Sequence, residues 1–163
     1  MNDIYSLGEL SDRQAITDLY ARYVHATDDQ DYDELDRIFL PESVFDWTSV
    51  GHVKADWAGY VRDEYIRNGQ FFIADFHLAA GIRINFNADR SEAQVKSKML
   101  NATAVRNEQG VIVANQVHGG YSDSLVRKPD GWRIVSRVWN HKFITIEHAT
   151  AGGSAGMLES DRA

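Results

Sequence analysis

The chain has no cysteine and only two prolines among its 163 residues. The missing thiols exclude disulfides, thiolate metal sites and cysteine nucleophiles. No apolar run approaches the roughly 20 residues of a membrane span. The opening "MNDIYSLGEL" lacks a basic region followed by an apolar stretch, so no signal peptide is read there. Positive charge is also scarce. The net charge of −7 repels phosphate backbones and argues against nucleic acid as a partner. Gly-x-Gly-x-x-Gly, a phosphate loop and a Gly-x-Ser-x-Gly elbow are all absent, which disfavours nucleotide cofactors and serine-hydrolase chemistry. The six histidines (25, 52, 77, 118, 141 and 148) show neither HxH nor HExxH spacing, so no metal ligand set is read and no cofactor is expected. These exclusions leave a soluble, cytoplasmic protein with a small-molecule substrate as the expectation.

What is present is patterning. Hydrophobic residues make up 44% of the chain, enough for a packed core in one domain. "SDRQAITDLYARYVHATDD" (11–29) predicts a helix with Ser11 as N-cap and Gln14 completing a capping box. "YDELDRIF" (32–39) predicts a short helix ended by Pro41, and "SVFDWTSV" (43–50) a strand turned by Gly51. "ADWAGYVRDEYIRNG" (55–69) predicts a third helix with Gly69 as its C-cap. Strands are expected near 74–87, 93–106, 111–128 and 132–146, separated by turns at "NADR", "NEQG" and "KPDG". Helices first and long strands later imply an α+β fold with helices on one face of a curved sheet. Residues 1–147 read as a single domain, and 148–163, small and polar, as a flexible or surface-lying tail.

One strand poses a question. In "ADFHLAAGIRINF" (74–86), Ala74, Phe76, Leu78, Ala80, Ile82, Ile84 and Phe86 fall on one face by simple alternation. The other face carries His77 beside Ala79 and Gly81, and either meets water or lines a pocket. At the end of the first predicted helix, Tyr20, Val24 and Asp28 follow an i, i+4 row, so Asp28 can extend the inward side. A carboxylate is unfavourable at that end of a helix dipole. A histidine backed by an aspartate has a fixed tautomer and a stabilised imidazolium, and the pair alone is a general base.

These residues also carry a resemblance. "AITDLYARYVHATDD", "FHLAAGIRINF" and "GGYSDSLVRKPDGWRIVSRVW" resemble the SnoaL-like, scytalone-dehydratase-like branch of the nuclear-transport-factor-two-like superfamily. The resemblance runs from about residue 10 to residue 145. It implies a cone-shaped α+β barrel, a bent antiparallel sheet wrapped around three N-terminal helices and enclosing an apolar pocket. Lyases of this branch, scytalone dehydratase, bile-acid dehydratase and hexachlorocyclohexane dehydrochlorinase among them, use a histidine base backed by an aspartate. The matching positions here are His77 and Asp28. The resemblance adds Tyr23, five residues before Asp28, and Arg137, five residues after Trp132, as polarising groups. Asn101 or Thr103 stands where scytalone dehydratase places a second histidine. The implied activity is a cofactor-independent lyase acting on a small cyclic or aromatic substrate, with Trp47, Trp57, Phe45, Met99, Asn101 and Tyr121 as candidate walls. The alternatives are a ketosteroid-isomerase-like isomerase or a non-catalytic binding or scaffold subunit. The resemblance and the long apolar face of 74–86 together imply a homo-oligomer, a trimer first and a dimer second.

Overall fold

The computed structural model describes residues 4–148 of the chain; of the expected tail, all but His148 lies outside the described residues. Helix α1 (Leu7–Asp28) starts one turn earlier than the sequence reading placed it. Ser6, not Ser11, is the N-cap, and its hydroxyl accepts the Glu9 N–H at 3.2 Å. The buried stripe of Asp12, Ile16, Leu19, Tyr20, Tyr23 and Ala26 has the three- and four-residue spacing of one helix face. Gln30 closes the helix in the left-handed region (φ 56°). Asp31 then caps α2 (Tyr32–Ile38) by accepting from the Glu34 N–H.

Strand β1 (Phe39–Asp46) follows α2 directly. Pro41 has no N–H for a ladder, and it sits where β1 skips its pairing between Phe39 and Val44. Gly51 takes the positive φ (77°) expected of it, ahead of β2 (Lys54–Asp56). The predicted helix over 55–69 begins instead as a π turn over Trp57–Val61, capped by Asp56, before α3 (Arg62–Gly69). Gly69 is not a left-handed cap. It ends α3 in close packing, where an added Cβ would lie 2.7 Å from the Tyr32 hydroxyl.

The remaining strands are β3 (Phe72–Phe86), β4 (Glu92–Arg106), β5 (Ile112–Gly119), β6 (Tyr121–Lys128), β7 (Gly131–Trp139) and β8 (Phe143–His148). The sheet runs β2-β1-β7-β6-β4-β5-β8, with β3 on the other edge of β4. It is bent and unclosed, and mixed rather than purely antiparallel, because β1 joins β7 in parallel. Each of the two long strands expected at 111–128 and 132–146 is broken in two. The first break is at Gly119–Gly120, where β5 and β6 part along one edge of β4. A Cβ on Gly120 would lie 2.2 Å from the Ser97 carbonyl oxygen, so only glycine permits that corner.

The single apolar face read for 74–86 is in fact two. Gly81 (φ 57°) forms a bulge between Ala80 and Arg83, and the extra residue reverses the alternation. Before the bulge, Phe76 and Leu78 point outward and are exposed, while Asp75, His77 and Ala79 point inward. After it, Ile82, Ile84 and Phe86 turn into the core. Gly81 is therefore an exposed hinge of the strand. The core itself lies between α1, α2 and the concave sheet, built on Ile16, Leu19, Leu35, Phe39, Phe45 and Ile134. Each such buried side chain contributes about 1.5–3 kcal/mol.

Candidate active site

Asp28 is the last residue of α1, and the helix lies against β3. Its two carboxylate oxygens each accept the His77 backbone N–H at 3.0 Å. Oδ1 also lies 2.7 Å from His77 Nδ1. The contacts offset the unfavourable helix-end position and fix both the ring and the strand that carries it. With Nδ1 engaged, Nε2 is the ring nitrogen left to accept a proton.

Strand register assembles the rest. Across β3, β4, β5 and β8 one row reads His77, Asn101, Val117, Ile144. The next row on the same face reads Asp75, Thr103, Asn115, Ile146. Six of these eight side chains, all but Asn115 and Ile146, line a cavity of about 510 Å³. Its aromatic walls include Tyr32, Trp47, Tyr60, Tyr65, Tyr121 and Trp139, and no lysine or arginine lines it among the described residues. Size and lining suit a small, largely apolar ligand.

Asp75 is the group the sequence reading missed. It stands two residues before His77 and so shares its face, a signal present in the alternation. Its side chain is 8% exposed, and Oδ1 lies 3.5 Å from His77 Nδ1, too far for a hydrogen bond. That oxygen has no hydrogen-bond partner among the described residues. Burial raises the Asp75 pKa; the His77 ring opposes the rise and the Asp28 charge adds to it.

Sequence spacing gave no metal ligand set, but the fold brings one potential set together. Ligand atoms of Asp28, Asp75 and His77 lie within 4.8 Å of one another. Asp28 and His77 already satisfy each other there, which is the arrangement of a hydrogen-bonded pair.

Two expected polarising residues lie behind the wall instead of in it. Tyr23 is fully buried, and its hydroxyl is 3.1 Å from that of Tyr121 and 3.2 Å from that of Tyr65. Arg137 is also fully buried. It pairs with Asp123 at 2.7 Å, and its guanidinium carbon is 3.9 Å from the Tyr121 ring centroid and 4.1 Å from that of Tyr23. The Tyr20 hydroxyl donates to the same Asp123 carboxylate at 2.5 Å. Burial pulls the Arg137 pKa down, but the Asp123 carboxylate outweighs it and the guanidinium stays charged. Burial, then the neighbouring Tyr23, pushes the Tyr65 and Tyr121 phenols well above their usual value, so both remain hydrogen-bond donors. Among the expected walls, Trp47, Asn101 and Tyr121 do face the cavity. Trp57, Phe45 and Met99 do not. They are core residues, with Trp57 packed on Phe39 and Phe45 and its indole N–H given to Asp36 at 2.8 Å.

This architecture has relatives. The SnoaL-like domain family matches residues 8–138. The chain belongs to that family. An uncharacterized protein of Mycobacterium tuberculosis, Rv2910c, is 27% identical over 135 residues, covering 82% of this chain and 87% of its own. Among solved structures, a candidate scytalone dehydratase of Novosphingobium aromaticivorans superposes with a TM-score of 0.75 at 22% identity, covering 88% of this chain and 92% of that one. A type 2 hexachlorocyclohexane dehydrochlorinase (LinA) superposes with a TM-score of 0.74 at 16% identity, covering 90% and 98%. At such identities the likeness establishes the shared SnoaL-like fold. No helix among the described residues is long and apolar enough to cross a membrane.

Proposed function

We propose that this SnoaL-like protein is a cofactor-independent lyase. The observation that carries the reading is the 2.7 Å contact between His77 Nδ1 and Asp28 Oδ1 at the wall of an apolar cavity. His77 Nε2 takes a proton from carbon, and Asp28 stabilises the imidazolium that forms. The leaving group departs from the adjacent carbon as the double bond forms. The Tyr23 hydroxyl links those of Tyr65 and Tyr121, and whichever of these two accepts the single Tyr23 proton keeps its own for a hydrogen bond to an oxygen that gains charge. Arg137 supports them from behind the Tyr121 ring and does not touch substrate. The names of the dehydratase and dehydrochlorinase neighbours agree with an elimination. An isomerase built on Asp123 and Tyr23 is disfavoured, because Asp123 is buried and held by Arg137 and Tyr20.

The test is turnover of a panel of cyclic ketones carrying a β-hydroxyl or β-halogen. His77→Ala and Asp28→Asn should each lower turnover at least about 10²-fold with melting temperature maintained. Combining them should lower it little further, because groups acting as a unit are not additive. Undiminished turnover in His77→Ala, or a double variant showing the full product of the single losses, would refute the dyad.

A further inference from the structure

A second carboxylate beside the dyad has no work in the mechanism above. Asp75 sits on the same inward face of β3 as His77, lines the same cavity and is 8% exposed. Its Oδ1 lacks a hydrogen-bond partner among the described residues. A buried carboxylate oxygen without a hydrogen-bond donor is unfavourable, and a second carboxylate, Asp28, already holds the same ring nitrogen, Nδ1, that lies 3.5 Å from Asp75 Oδ1. Two carboxylates against one imidazole resist being ionised together; Asp28 accepts the His77 N–H on both oxygens, whereas at Asp75 burial outweighs the Phe76 backbone N–H and favours the protonated carboxyl. Opposite Asp75, β4 presents Thr103, and next to it Asn101, both uncharged. Neither brings a positive charge that would strip the proton, and the carboxyl stands at the cavity wall.

We propose that Asp75 is the general acid of this site, delivering its carboxyl proton to a departing hydroxyl while His77 takes a proton from the adjacent carbon. The reaction class is then dehydration. The C–H electron pair becomes the new C=C bond, and the C–O bond breaks with its pair on oxygen. That oxygen receives the Asp75 proton and leaves as water. The proton now on His77 returns to Asp75 through the departing water, which restores both groups. No oxidant or co-reactant is needed. A halide leaves as a stable anion and needs no such acid, whereas hydroxide does.

The inference rests on the lyase reading, and a matched pair of substrates separates the two. One cyclic ketone is prepared with a β-hydroxyl and again with a β-chloride. In Asp75→Asn the ratio of hydroxyl to chloride turnover should fall about 10²-fold, while His77→Ala should suppress both reactions. A fall that is equal for the two leaving groups would overturn the general-acid role and leave the lyase reading standing. Undiminished turnover of both in His77→Ala would overturn the lyase reading itself. Loss of both reactions on treating the native protein with a chelator would make Asp75 a metal ligand, again against the proposal. A readout without substrate is the infrared difference between the native protein and Asp75→Asn at neutral pH. It should contain one protonated-carboxyl band, and its absence would overturn the proposal.

Discussion

Asp75 and Asp28 show how environment separates two like side chains. Asp28 takes the N–H of His77 on both oxygens and the ring nitrogen on one, while Asp75 Oδ1 has no hydrogen-bond partner among the described residues. The raised pKa of Asp75, caused first by burial, has a consequence for stability. In acid, below the ordinary aspartate range, both the folded and the unfolded chain hold this proton and nothing is lost. As pH rises past that range the unfolded chain releases the proton while the folded one retains it, so stability falls with pH. The loss is complete above the raised value. Asp75→Asn removes it. Thermal melts should show the variant gaining on the native protein from acid towards neutral pH. A gain that is constant across pH, or largest in acid, would contradict the shift. A residue whose replacement stabilises the fold is what a site under functional demand contains.

Strands β6 and β7 are joined by more than their ladder. Asp123 and Arg137 are directly paired in register, their side chains meet at 2.7 Å, and both are fully buried. Tyr20 brings α1 to the same carboxylate. Removing one partner leaves a buried charge alone, which costs about 3–5 kcal/mol. Asp123→Ala should show that loss in a urea titration. Asp123→Leu combined with Arg137→Met should recover most of it, since a packed apolar pair avoids desolvation. A small effect of the single change would mean that the cation is satisfied elsewhere. At this same scale the sequence was readable in parts. The i, i+4 row of α1 and the turn residues Gly51 and Gly110 are local signals that helped identify the elements, whereas the two caps read from the sequence, Ser11 and Gly69, gave way to Ser6 and Gln70. The π turn at Trp57–Val61 and the corner at Gly120 were not legible. Each answers to a distant neighbour: Trp57 gives its N–H to Asp36, and Gly120 meets Ser97.

For the whole molecule, the bulge at Gly81 turns Phe76 and Leu78 to the convex side of the sheet. One row across that side reads Leu78, Leu100, His118, Phe143, and the His118 and Phe143 rings stack at 4.2 Å between centroids. Phe76, Leu78 and Phe143 are each about half exposed. We propose that a second copy of the chain covers this face, giving a homo-oligomer, a trimer first. Light scattering at micromolar concentration should return a multiple of the 18.4 kDa chain mass, and Phe76→Glu with Leu78→Lys should reduce it to one chain. A native protein already at one chain mass would sink this proposal.

The sequence by itself determined the α+β class, the order of helices before strands, the inward stripe of α1 and the candidacy of Asp28 and His77. All of these rest on near-neighbour spacing and turn chemistry, which a chain states locally. Only the tertiary structure decided which half of 74–86 faces inward, because one extra residue at Gly81 reverses every side chain beyond it. It alone set Asp75 against His77 and Asp28, withdrew Tyr23 and Arg137 behind Tyr121, and sent Trp57 and Met99 to the core. Those outcomes depend on strand register and on how a helix end meets a sheet, and both are fixed by contacts between residues far apart in the chain.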